Sequence, residues 1–253
     1  MKNFLTVMFM SILLAGCVTT TNQSGFKINK EKALESHIQL GIGYLREKNY
    51  ESSRLNFNKA LAIDSGSAAA LNGLGMLYQN EKNPELADKY FRKSVSADPS
   101  YSVGRNNYGS FLFGQKRYED AYKQFKIASA DLAYERRDLA LVNLGRAAIE
   151  LGHKDEAEKV FTQSLAINSR QPAAYLALAE LKFAQGDYSA TKYNLDQFAN
   201  MRRHTPRSLL LGIKIEKIFG NKDKEASYAM ALKNLYPYST EYLEYKKMGS
   251  VND

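Results

Sequence analysis

The stretch Ala68 to Tyr101, AAALNGLGMLYQNEKNPELADKYFRKSVSADPSY, carries Leu74-Gly75 and Tyr78, then Asn83-Pro84, then Ala87, Phe91 and Ser94, and closes on Asp98-Pro99. Apolar and small residues at helical spacing stand on both sides of a turn pair, which predicts two helices joined by a tight connection. The Leu-Gly pair returns at a period of 34, as Leu40-Gly41 before the stretch and as Tyr108-Gly109 after it. After an offset of two residues it recurs as Leu144-Gly145, and 34 positions further on as Leu178-Ala179. A fixed period of that length is the mark of stacked helix-turn-helix repeats. Small residues on the first helix and early in the second let the helices approach, and a phenylalanine on the second fills the gap between neighbours.

Six repeats follow from this register. The first, 34–67, holds Leu40, Gly41 and Tyr44, then Ser53, Phe57 and Ala60; the second is 68–101. The third, 102–135, holds Tyr108, Gly109 and Leu112, then Ala121, Phe125 and Ala128. Beyond Arg136-Arg137, the fourth (138–171) holds Leu144, Gly145 and Ala148, then Ala157, Phe161 and Ser164. The fifth, 172–205, is looser, with Leu178, Ala179 and Lys182, then Thr191, Leu195 and Phe198. The sixth, 206–238, keeps a two-helix rhythm around Gly220-Asn221 but fits the template poorly. The pattern resembles the tetratricopeptide repeat, although its leading aromatic position is here His37, Leu71, Arg105, Leu141 and Tyr175. The expected fold is an all-α tetratricopeptide repeat superhelix of about six units. It forms a single array over 31–247, with 248–253 as a tail.

The N-terminus reads differently. Met1-Lys2-Asn3 is a short positive segment, and Phe4 to Leu14 is apolar apart from Thr6 and Ser11. That run falls short of the roughly 20 residues a membrane-spanning helix needs, and it reads as a secretory signal over 1–16. Leu14-Ala15-Gly16-Cys17 resembles the bacterial lipobox, and Cys17 is the one cysteine of the chain. The resemblance implies a mature chain acylated at Cys17, with 17–30 as acylated N-terminus and flexible tether. Two or more acyl chains give stable anchoring where one does not. Val18, where an aspartate would signal retention, points to the periplasmic face of the outer membrane.

Signs of chemistry are sparse. His37, His153 and His204 are scattered without metal-ligand spacing. Gly41-Ile42-Gly43 and Gly73-Leu74-Gly75 fall inside helices, where glycines serve packing rather than phosphate binding. No serine stands in a nucleophile elbow. The expectation is a non-enzyme without catalytic residues, cofactor, metal or small-molecule substrate. The formal charge of +8 could serve nucleic acid, anionic lipid or an acidic partner. A lipid anchor excludes nucleic acid, and Arg136-Arg137 and Arg202-Arg203-His204 read as solvated loop charge.

Stacked repeats leave one face lined by their first helices. Read at fixed slots, this face offers Ile38, Ile42 and Leu45 in the first repeat and Asn72, Met76 and Gln79 in the second. The third contributes Asn106, Ser110 and Phe113, the fourth Val142, Arg146 and Ile149, and the fifth Leu176, Glu180 and Phe183. Ile38, Ile42, Leu45, Asn72, Met76, Gln79, Asn106 and Phe113 are the candidate partner-binding groove. The aliphatic character of the first repeat fits a partner segment laid into it as helix or strand, and equally a cap or a covering by the N-terminal linker. Met76 and Ile42 stand where a chaperone-type carboxylate clamp needs polar residues, so capture of a chaperone tail is disfavoured.

Several segments resemble one family in order along the whole chain. They are Leu14 to Thr19, Ile38 to Leu45, Asn106 to Leu112, Gln115 to Tyr122 and Arg207 to Ile213. The chain is similar to the PilF/PilW family of type IV pilus biogenesis lipoproteins, the secretin pilotins. Arg207 to Ile213 discriminates best, because it lies where the general repeat template fails. The resemblance implies a monomeric, non-enzymatic scaffold. Such a scaffold would carry the type IV pilus secretin subunit to the outer membrane and promote its multimerisation. Another periplasmic adaptor lipoprotein, such as one recruiting cell-wall hydrolases, is the rival reading.

Overall fold

The computed structural model describes residues 23–249, with side chains from 29 to 248. The expected signal peptide and the lipidation residue Cys17 lie outside the described residues. Within them are thirteen helices and no strand. The chain divides at Ser65–Gly66 into two compact bodies. The first contains α1 (Gln23–Arg46) and α2 (Tyr50–Ile63). The second begins with α3 (Ala68–Asn80), α4 (Pro84–Ala97), α5 (Ser102–Gly114), α6 (Tyr118–Ala130), α7 (Arg137–Glu150) and α8 (Lys154–Ile167). It continues through α9 (Pro172–Ala184), α10 (Tyr188–Met201), α11 (Pro206–Ile218), α12 (Lys222–Leu235) and α13 (Thr240–Gly249).

The chain has the all-α tetratricopeptide repeat fold. Two features differ from the expectation. Helix α1 starts at Gln23, so the latter part of the expected tether is helical. Lys27, Lys30, Glu31, Lys32 and Ala33 all favour helix, and no proline or turn pair separates them from the first repeat. Helix α13 follows the sixth pair, and its Tyr242, Tyr245 and Met248 pack on the cluster around Leu209, Ile213 and Leu232.

Several helix starts carry side-chain caps, whereas α5 to α9 start without one. Asn49, Ser67, Asn83, Asp187 and Asn221 each accept a hydrogen bond from the backbone N–H three residues on, and Thr205 and Ser208 form a reciprocal capping box. Within each pair the first helix ends in a left-handed residue. Lys48, Lys82 and Lys116 hold φ of 61°, 58° and 60°, and Gly152, Gly186 and Gly220 take the same turn position with φ of 81°, 79° and 70°.

Between paired helices, bare backbone faces an aromatic ring. A methyl built on Gly41, Gly75 or Gly109 would sit 2.6, 2.7 or 2.6 Å from Phe57, Phe91 or Phe125, and Gly145 stands in the same relation to Phe161. Those four phenylalanines are at most 1% exposed. Small polar residues close the same seam: Ser53 Oγ donates to the Gly41 carbonyl, Ser94 Oγ to Ala68 and Ser164 Oγ to Asp138, each at 2.8 Å.

The sixth pair fits the template poorly because its glycine–aromatic contact, Gly212 on Tyr228, stands one position earlier relative to the turn. Counting back from the turn at Gly220, Ile213 takes the small slot and Ala229 the aromatic one. Both belong to the cluster around Leu209 and Leu232, and the neighbouring Gly212 makes room for the Tyr228 ring.

Successive pairs in the second body are joined by polar bonds. Asp88 accepts from Tyr108 and Arg117, both at 3.0 Å. Tyr122 donates to Glu156 at 2.6 Å, and burial together with that carboxylate pushes its hydroxyl up to about 12.

Gly109 and Gly114 lie on one helix in opposite circumstances, since nothing lies within 4 Å of a methyl built on Gly114. Alanine gains about 1 kcal/mol over glycine in a helix, while overpacking a filled core costs roughly 1–3 kcal/mol. Chemical denaturation should therefore show Gly109→Ala less stable than wild type by about 1 kcal/mol and Gly114→Ala equal or more stable. Adding Phe125→Leu to Gly109→Ala should return part of the loss. Equal behaviour of the two single variants would contradict the close-approach argument.

Candidate functional site

Each first helix was expected to offer side chains to a partner. In the first body, Ile38 and Leu45 are 6% and 7% exposed, and only Ile42 of that trio is half-open. Ile38 and Leu45 therefore serve packing and present little surface. In the second body Asn72 and Asn106 are buried as well. Asn107 Nδ2 donates to Asn72 Oδ1 at 3.2 Å, and Asn143 Nδ2 donates to Asn106 Oδ1 at 3.0 Å. These amides tie one first helix to the next. Buried amides with partners elsewhere in the fold are not free for a ligand without a penalty. Met76 and Phe113 are half-buried and Gln79 is exposed, so these three remain accessible in the second body. The signal for the amide ladder was the return of asparagine at Asn72, Asn106-Asn107 and Asn143.

A cleft on this face lies further along the chain. A cleft of about 340 Å³ opens between Phe113 of α5, Arg146 and Ile149 of α7, Leu176 and Glu180 of α9, and Arg207 at the start of α11. Its floor includes the buried Phe161 and Leu181. The period places Phe113, Arg146, Ile149, Leu176 and Glu180 in the inner slots, and of these only Phe113 belongs to the candidate groove. Size of cleft and mutual distance of charges depend on how repeats three to six pack, which no single slot reveals.

The electrostatics of the cleft centre on Glu180. Arg207 Nη2 donates to its Oε2 at 2.6 Å, and the carboxyl is 31% exposed. Burial raises its pKa, and the Coulomb attraction and hydrogen bond of Arg207, with the more distant Arg146, pull it partly back. The Arg146 guanidinium lies over the Phe113 ring, 5.2 Å from its centroid. Apolar walls with a few fixed charges are the chemistry of binding.

Elsewhere, titratable groups are tied to local structure. His204 packs against Phe198 and Tyr228, burial pushes its pKa down, and the Ser208 hydroxyl near it belongs to the capping box. His153 stands 3.8 Å from Glu156 on an exposed turn. Among the described residues no group of three His, Cys, Asp or Glu is placed to hold a metal, and no helix is long and apolar enough to cross a membrane.

Comparison with known proteins follows the same division into repeats. Tetratricopeptide repeat family models match residues 68–101 and 142–190. The type IV pilus assembly protein PilF of Pseudomonas aeruginosa is 39% identical over 242 residues, covering 95% of this chain and 96% of that protein. The solved structure of Pseudomonas aeruginosa PilF superposes with a TM-score of 0.81 over 87% of this chain and 99% of that one. PilW, described as a widely conserved type IV pilus biogenesis factor, is 29% identical with a TM-score of 0.73, over 83% of this chain and 97% of its own.

A raised carboxyl pKa means the folded chain holds the Glu180 proton more tightly than the unfolded chain does. Its contribution to stability is then fully present below the unfolded value and lost as pH rises through the folded one. A carbon-detected NMR titration should place the Glu180 midpoint above 4.5, and Arg207→Ala should raise it further by removing two of the effects that lower it. Glu180→Gln should remove that part of the loss of stability with rising pH. A midpoint at or below 4.5 would contradict the burial argument.

Proposed function

The chain belongs to the family of the type IV pilus assembly protein PilF, and from that premise we propose that it acts as a secretin pilotin. It is a type IV pilus biogenesis protein built on tetratricopeptide repeats. In the proposed mechanism, acyl chains on Cys17 hold it at the periplasmic face of the outer membrane. A single copy of the scaffold binds a segment of the type IV pilus secretin on its first-helix face. Holding both at one membrane raises their effective concentration, and this favours insertion and multimerisation without any new contact. The role is binding rather than catalysis.

One observation carries the proposal: the likeness to PilF runs the length of the chain, including the sixth pair, where the general repeat template fails. A generic repeat scaffold would match in its regular pairs and diverge there. The lipobox at Leu14 to Cys17 supports the anchor. Of the expected groove residues, Ile42 in the first body and Met76, Gln79 and Phe113 in the second keep accessible surface for a partner.

Affinity purification of the full chain from a detergent extract of its own cells, followed by mass spectrometry, should recover the secretin subunit. Recovery of cell-wall hydrolases without secretin would replace this reading with that of a different adaptor. Cys17→Ala should move the protein to the soluble fraction and lower outer-membrane secretin multimers at least tenfold. Unchanged membrane fractionation of that variant would remove the anchor from the mechanism.

A further inference from the structure

The cleft between α5 and α11 has a charge pattern that selects its occupant. Arg207 and Glu180 are bonded to each other at 2.6 Å and so neutralise one another. Arg146 reaches Glu180 only through the Coulomb field; its guanidinium lies over the Phe113 ring, 5.2 Å from the centroid, and the residue is exposed. A guanidinium is a planar fork of N–H donors that suits a carboxylate, and the Phe113 ring beneath it limits where that fork can sit. Around it stand Ile149, Leu176 and Phe113, with Ala173 and Ala177 leaving space beside them.

We propose that this cleft docks a protein segment carrying one carboxylate side chain next to one or two bulky apolar side chains, with Arg146 taking the carboxylate. Three aspects of the geometry favour this occupant. The lining has three cations, Arg146, Lys154 and Arg207, against two carboxylates, Glu150 and Glu180, so a single negative charge balances it. A dianion such as a phosphate group would exceed that balance by one charge, which disfavours it. The volume of about 340 Å³ lies at the small end of ligand sites, enough for a few side chains while the rest of the segment runs outside. Both arginines stand at an open mouth, with Arg207 57% exposed, and so a chain can pass over the cleft without unfolding any helix. The apolar walls supply affinity and the guanidinium supplies selection, as in other clefts that pair a hydrophobic anchor with one charged contact.

This inference goes beyond the secretin reading and does not depend on it. A phage library of linear heptapeptides is panned on the full chain, and one enriched peptide is then synthesised for titration. Enriched sequences should share an Asp or Glu within two positions of Leu, Ile or Phe. Replacing that acid by its amide should weaken binding at least tenfold, and Arg146→Gln in the protein should do the same, with Arg146→Lys intermediate. Circular dichroism establishes that the variants are folded. If Arg146→Gln is not folded, amide shifts on the wild-type chain decide: shifts centred on Ile149, Leu176 and Ala177 support the site, and shifts elsewhere overturn it. Enrichment of peptides lacking an acid, equal binding by Arg146→Gln, or no enrichment at all would also overturn it. Because no secretin enters the assay, the secretin reading stands or falls separately.

Discussion

The contact of a bare helix backbone with a buried phenylalanine ring is the constraint on which the rest of the structure depends. Gly75 against Phe91 and Gly109 against Phe125 bring two helices closer than any side chain at the glycine would permit. Once the distance within a pair is set, the phenylalanine is sealed from water and contributes the largest apolar burial of its repeat. The second helix of one pair then meets the first helix of the next through a surface of fixed shape. Phe91, for example, stacks on Tyr108 and meets Phe111 at a tilt, both from the following pair. Repetition of one local fit thereby becomes a continuous core.

Polar groups have a different task along the same face. The amides of Asn72, Asn106, Asn107 and Asn143 and the Asp88–Tyr108–Arg117 cluster satisfy one another across successive helices of the second body. They orient neighbours that apolar packing alone would allow to slide. Where this bonding gives way to Phe113, Arg146 and Glu180, side chains are separated by open volume instead. A partner therefore meets a surface that is closed by amides at one place and open at another, on helices of the same type.

Much of this was legible because a repeat of fixed period samples the same environment again and again. Gly41, Gly75, Gly109 and Gly145, each sixteen positions before a phenylalanine, announce their contact without a structure. The sixth pair was less legible since Gly212 and Tyr228, sixteen apart like the others, stand one position earlier relative to the turn and leave Ile213 and Ala229 in the template slots. Burial within the expected groove was less legible for a related reason. Slot positions say which way a side chain points from its helix, and Ile38 and Leu45 have the aliphatic character of a groove. Whether they meet a partner or the protein itself depends on burial, and both are buried. The cleft at Arg146 needed four helices from successive pairs in place before its charges could be seen together.

The left-handed turn inside each pair has an energetic consequence for the array. Lysine occupies it at 48, 82 and 116, and glycine at 152, 186 and 220. A side chain in that conformation costs roughly 1 kcal/mol or more that glycine does not incur. Stability in a repeat array is close to a sum of local and nearest-neighbour contributions, so such costs stay where they arise. The N-terminal pairs thus carry a strain absent from the C-terminal ones. Transient opening is therefore easier in the pairs that turn at Lys48, Lys82 and Lys116 than in those that turn at Gly152, Gly186 and Gly220.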